Sequence, residues 1–151
     1  MSDDNVRMLH NQLVTSQHKY IYFLLAVAAS AIAFSTQVTK EMELEYSLIP
    51  LGIAVLCWAL SFFCGCRTVQ YDNSNTVANI DLLKVERGEH EEVGNNPAYI
   101  SAASQGIRQA YASNQAAQNR HSKWQFRFLV MGGILFIIWH ILNMWLRTTG
   151  N

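Results

Sequence analysis

Charged residues are scarce in this sequence of 151 residues: they make up 15% of it, against an average near a quarter for soluble domains. Lysine and arginine together number 11, and so do aspartate and glutamate, so the formal net charge is zero. A neutral chain has no long-range attraction for nucleic acid or for acidic substrates. We therefore expect no nucleic-acid partner.

The sequence also lacks the motifs of the common enzyme classes. It contains no HExxH metal motif, no Walker phosphate loop, no GxGxxG fingerprint and no serine-centred elbow. The acidic stretch 89–92 is interpreted as a solvated turn. Cys64 and Cys66 offer too few ligands for a structural zinc site, and we interpret them as small packing residues. We expect a protein that is not an enzyme, with no catalytic residue, no cofactor and no metal site.

Apolar residues, in contrast, make up 50% of the chain and fall in three blocks whose interiors contain no Asp, Glu, Lys or Arg. A membrane-spanning helix needs about 20 mostly apolar residues, because the hydrocarbon core is about 30 Å thick. The blocks predict an all-α integral membrane protein with three transmembrane helices, at 20–38, 47–66 and 127–147. A cleaved signal peptide is the alternative for the first block, but the acids that precede it are atypical of a signal sequence.

The distribution of lysine and arginine predicts the orientation. Nine of the eleven cations lie in 1–19 and 67–127, and the positive-inside rule places those segments in the cytoplasm. The prediction is a plasma (inner) membrane protein with its N-terminus inside, a short acidic external loop at 39–46 and an external tail at 148–151. Basic and aromatic residues at the predicted membrane boundaries serve as interface anchors: Lys19, Tyr20, Arg67, Lys123, Trp124, Arg127, Trp145 and Arg147.

The segment 67–126 carries few strand signals and shows helical spacing on both sides of a Gly/Asn/Pro-rich tip at 88–97. We predict that helices two and three continue past the membrane as a cytoplasmic antiparallel hairpin, or stalk. Residues 1–19 are predicted to form an amphipathic helix continuous with the first span. Alternatives for 67–126 are a loose loop with one amphipathic helix and a small α/β domain. The coiled-coil-like seam of the stalk is predicted to include Ile80, Leu83, Ile100, Ala103, Ile107 and Ala110.

Polar residues inside the third span form a stripe of Gly133, His140 and Asn143. Polar groups in a bilayer are unfavourable when they face lipid, so this stripe should face protein or water. Two interpretations remain open: His140 lines a pore, or it makes hydrogen bonds between packed helices.

Pairs of small residues four positions apart favour close helix packing within the chain or between copies. The sequence therefore predicts an oligomeric membrane component in contact with the lipid bilayer. The first specific hypothesis is a homo-oligomer around a narrow pore, with the stalk as a cytoplasmic sensor. The alternative is a non-conducting accessory subunit or scaffold whose stalk docks a soluble protein partner.

Overall fold

The computed structural model describes residues 3–40, 42 and 46–149. The described chain is all-helical: α1 (Asp3–Val38), a 3-10 turn (Tyr46–Leu48), α2 (Ile49–Glu86) and α3 (Pro97–Thr149). The three α-helices contain 36, 38 and 53 residues. Each is long and apolar enough to cross a membrane. The predicted all-α class and the prediction of three span-like helices are confirmed.

The turn between α2 and α3 is set by its local sequence. Gly88 has a φ of +69°, its N–H bonds the carbonyl of Val85, and the next N–H, of Glu89, bonds the carbonyl of Lys84. This is a Schellman motif, whose left-handed position is most often glycine because a Cβ is unfavourable there. Asn96 then accepts a 3.0 Å hydrogen bond from the backbone of Ala98, and proline follows at the first helical position. The turn covers 87–96, one residue earlier than the predicted tip.

The chain divides into two compact units, to which both α2 and α3 contribute. The bundle unit consists of Met1–Cys66 and Ser122–Asn151, and the hairpin unit consists of Arg67–His121. The division between Cys66 and Arg67 falls where the second apolar block of the sequence ends.

The core of the bundle unit is formed by one buried stripe from each helix. On α1 the stripe keeps the three- and four-residue spacing of a helix face that packs on other helices. The same spacing recurs on α2, whereas the α3 residues that are most buried lie seven apart. The stripes contain Ile21, Leu24, Ala28 and Ser35 of α1, Leu51, Ala54, Trp58 and Ser61 of α2, and Gln125, Gly132 and Trp139 of α3.

In the hairpin unit, the end of α2 and the start of α3 run antiparallel. Asn75 of α2 contacts Gln118 of α3, while Glu86, further along α2, pairs with Arg108, earlier along α3. Helix α2 is continuous through 72–75, although those residues favour caps and turns. The interior of this unit combines an apolar residue, Val85, with polar ones, and the polar ones lie closest to the boundary of the unit.

Candidate functional site

Gln125 of α3 has the largest fully buried polar side chain among the described residues of the bundle unit. Its exposed fraction is 0%, and neither its amide oxygen nor its amide nitrogen has a hydrogen-bond partner among the described residues. Its backbone carbonyl accepts a 2.8 Å hydrogen bond from the Ser61 hydroxyl. A Cβ at Gly65 would lie 2.5 Å from Nε2 of Gln125, so glycine at 65 is what allows the amide to lie against α2. An unpaired amide in such a site is destabilising.

A second close approach of α2 and α3 occurs at Trp58. The indole Nε1 donates a 3.3 Å hydrogen bond to the carbonyl of Leu129, and the ring lies directly over Gly132. Phe136 contacts the same indole, at 5.8 Å between ring centroids, and also contacts Phe34 of α1 at 6.0 Å. The indole therefore lies at the contact that sets the separation of α2 and α3.

In the hairpin unit, a polar cluster joins the facing helices. Asn75, only 5% exposed, donates to Gln118 at 3.2 Å and makes a longer 3.5 Å contact with Gln115. Gln118 in turn donates a 3.0 Å hydrogen bond to a carboxylate oxygen of Asp72. Buried polar residues in a helix pair restrict the register in which the helices can align. This cluster therefore fixes how α2 and α3 face each other.

Next to this cluster, His121 stacks on Tyr71 with ring centroids 5.7 Å apart. The guanidinium carbon of Arg67 lies 5.1 Å from the centroid of the Tyr71 ring, and Arg67 donates a 3.0 Å hydrogen bond to the Tyr71 hydroxyl. Burial lowers the pKa of His121, and the positive charges of Arg120 and Arg67 lower it further. The neutral imidazole is the form that this environment favours.

The predicted polar stripe of the third helix is divided between two environments. Gly133 and Asn143 are half-buried, whereas His140 is exposed on the surface of the bundle unit. The residue that faces the core is its neighbour Trp139, which is 2% exposed and whose indole nitrogen has no partner among the described residues. The imidazole of His140 lies 6.4 Å from the indole of Trp139, measured between ring centroids.

The predicted stalk seam is also divided. On α3, Ile100, Ala103 and Ile107 are half-buried and Ala110 is exposed. On α2, Ile80 and Leu83 are 49% and 53% exposed. The buried and half-buried residues of α2 lie on a different face, displaced by two positions from Ile80 and Leu83. They are Asn75, Ala78, Leu82 and Val85. The helix therefore turns its polar cluster inward and leaves an apolar stripe outside.

Most of the predicted interface anchors lie at the surface of their units. Arg127 lies over the ring of Trp124, with its guanidinium carbon 5.2 Å from the ring centroid. Lys19, Tyr20, Lys123, Trp124, Arg127 and Trp145 are exposed, Arg67 is half-buried, and the side chain of Arg147 lies outside the described residues.

From the sequence, Ser61 is noted only as a small residue paired with Gly65, Asn75 only as part of a segment that could break α2, and Gln125 is not singled out. The signal that identifies them is a seven-residue repeat of polar or small positions, which a search for apolar spacing overlooks. The repeat comprises Ser61, Thr68 and Asn75 on α2 and Gln118, Gln125 and Gly132 on α3.

Comparison of the chain with models of protein families, with curated proteins and with solved structures gives no match. The described residues contain no group of three or more His, Cys, Asp or Glu that could hold a metal ion.

Proposed function

We propose that this chain is an integral membrane protein that acts as a homo-oligomeric membrane component. The observation that carries the proposal is the exposure of His140 on an otherwise apolar helix surface. An ionisable side chain within a membrane-spanning segment almost always faces protein or water, because lipid cannot hydrogen-bond it. A second copy of the chain supplies such a partner.

The small residues of α1 support the same proposal. Ser61, Gly65 and Gly132 lie in contacts between helices of the same chain. The small residues of α1 lie on its exposed face instead, where their short side chains leave the backbone open to a close neighbour. They are Ala26, Ala29, Ser30 and Ala33.

The oligomer is tested by measuring the mass of the purified protein in nanodiscs or mild detergent. Ala29→Ile and Ala33→Ile add bulk to the proposed contact, so they should shift the protein toward monomer without unfolding it. Ala59→Ile is the control, because Ala59 is exposed on α2 between larger residues. A wild-type protein that is monomeric, or an oligomer equally affected by all three variants, would contradict the proposal.

A pore is the specific form of this proposal that His140 favours, since a histidine on the oligomer surface can line a water-filled path. Purified oligomer in planar bilayers should then show channel events whose conductance is altered by His140→Leu, because leucine replaces a polar lining group with an apolar one. A folded oligomer without channel events, above or below neutral pH, would remove the basal pore.

The exposed stripe of the hairpin unit favours the scaffold as a second candidate. Val77, Ile80 and Leu83 are between 49% and 58% exposed on one side of α2. If this stripe docks a soluble protein, Ile80→Glu should abolish stoichiometric co-purification with the full-length chain. Asn79→Glu, at the exposed neighbouring position, should leave it intact. Equal loss in both variants would contradict a specific docking surface.

A further inference from the structure

Two exposed cations, Lys123 and Arg127, lie one turn apart on α3 in the bundle unit. Among the residues that the structure describes, neither forms an ion pair or a hydrogen bond. Helix α3 itself contains no aspartate or glutamate along its whole length. The positive charge of this pair is therefore uncompensated, and an anionic ligand bound there would meet no carboxylate of α3.

The indole of Trp124 holds the guanidinium of Arg127 at this place on the helix. The guanidinium carbon lies 5.2 Å from the centroid of the Trp124 ring, and that ring stacks on Phe128 with centroids 5.3 Å apart. Side chains on a helix lean toward its N-terminus, so Arg127 reaches back toward Lys123. A guanidinium that stacks on an aromatic ring keeps its N–H donors at its edge, where they can bind phosphate oxygens in pairs.

An exposed apolar strip continues from these cations along the same face of α3. Its members, Met131, Ile134 and Ile138, are between 44% and 54% exposed, and they follow Arg127 at the three- and four-residue spacing of one helix face. From Arg127 to Ile138 the helix rises about 16 Å, which is half of the roughly 30 Å hydrocarbon core of a bilayer. The strip therefore matches the acyl chain of a lipid in one leaflet, with the headgroup at the two cations.

We propose that this face of α3 binds an anionic phospholipid. The phosphate accepts hydrogen bonds from Lys123 and Arg127, and one acyl chain lies along the apolar strip. A zwitterionic lipid carries a cation of its own, which would meet no carboxylate of α3, so the net charge of the headgroup decides the preference. This inference rests on the membrane insertion proposed above and is independent of the oligomer.

Lipid retention by the full-length protein tests the proposal. The protein is extracted from vesicles of equal parts phosphatidylglycerol and phosphatidylcholine, and its bound lipids are counted by native mass spectrometry. The two lipids have the same acyl chains and both contain a phosphate, so a difference in retention reports the net charge of the headgroup. We expect phosphatidylglycerol to be preferred by about 25-fold, because each basic residue near an anionic headgroup contributes about fivefold.

Three double variants locate the site. Lys123→Gln with Arg127→Gln should abolish the preference for phosphatidylglycerol. Lys84→Gln with Arg87→Gln is the matched control, because it removes the same two charges from exposed positions of the hairpin unit, and it should leave the preference intact. Lys123→Arg with Arg127→Lys exchanges the two cations and should also keep the preference, which separates the charge of this pair from any structural effect of substitution.

Equal retention of the two lipids by the wild-type protein, equal effects of the two glutamine variants, or loss of the preference in the exchange variant would each overturn the assignment. Inorganic phosphate added in excess should not displace the lipid, and displacement would show that the cations bind phosphate without the acyl chain. A protein that dissolves without detergent would instead refute the membrane insertion itself, so the two failures are distinguishable.

Discussion

Replacing Gly132 with alanine tests the closest approach of α2 and α3 in the bundle unit. A Cβ at this position would lie 2.5 Å from Nε1 of Trp58 and 3.0 Å from the backbone oxygen of Ala54. The indole cannot move away without lengthening its 3.3 Å hydrogen bond to Leu129. The backbone oxygen cannot move unless the two helices separate. Making room for the added methyl group therefore requires weakening the indole hydrogen bond or separating the helices, and either change lowers the stability of the fold.

Overpacking of this kind typically destabilises a fold by about 1–3 kcal/mol. A change from glycine to alanine in a helix also contributes a gain of about 1 kcal/mol from helix propensity. Gly133→Ala is the matched control, since it has the same propensity gain while its Cβ would meet no atom within 4 Å. We therefore expect Gly132→Ala to be less stable than Gly133→Ala by about 1–3 kcal/mol.

The measurement is reversible unfolding in mixed micelles with increasing denaturing detergent, followed by tryptophan fluorescence and by helical circular dichroism. Gly132→Ala should destabilise the protein less in a Trp58→Ala background than in the wild type, because the ring that it clashes with is gone. If the two glycine variants unfold at the same detergent fraction, α2 and α3 do not meet at Gly132 as described.

Three further predictions concern the polar residues and the topology. Gln125→Leu should raise the stability of the bundle unit by about 1–2 kcal/mol in the same unfolding assay, because it removes a buried amide that has no partner; a loss of stability would show that the amide is satisfied. The hairpin unit should lose protection against amide hydrogen exchange as the pH falls below about 6.5, since the folded state, in which the pKa of His121 is lowered, binds the proton less tightly than the unfolded chain does. His121→Gln should flatten the pH dependence of this protection, whereas His90→Gln should leave it unchanged. An unchanged pH dependence in His121→Gln would refute the assignment to His121. Reporter fusions at Asn151 should be extracytoplasmic and those at Gly94 cytoplasmic, and a cytoplasmic Asn151 would overturn the orientation or the number of spans.

The sequence was sufficient to predict the helices, because their signals are local. Uncharged apolar blocks of about 20 residues identify long apolar helices whatever they pack against. The tip was predictable to within one residue, since Gly88 and the Asn96-Pro97 pair act on their own backbone. These features depend on the conformational limits of single residues and on hydrogen bonds within one turn.

Which face of each helix packs against its neighbour was not predictable in the same way. Ile80 and Leu83 have the spacing of a buried seam, yet α2 turns Asn75 and Leu82 toward α3. Apolar spacing alone cannot choose between two faces of one helix when each has a regular pattern. The choice depends on which polar side chains find partners across the interface, here Gln118 for Asn75, and that pairing is a property of two helices together.

The location of His140 shows the same limit at a single position. Its neighbour Trp139 fills the core, so His140 lies on the surface. Hydropathy cannot tell which of two adjacent residues faces the core when the whole segment is apolar.

The two glycine contacts of α2 and α3 impose a rule on how this sequence can diverge. Gly132 faces the rigid indole of Trp58 and the backbone oxygen of Ala54, so it cannot enlarge while the indole stays in place. Gly65 faces the ends of the Gln125 and Leu25 side chains, which can move aside. In related chains with the same fold, a larger residue at 132 should therefore occur together with a smaller one at 58, whereas position 65 should accept alanine without a change at 125. Gly52 and Gly133 face no such neighbour, and substitutions there should be independent of position 58.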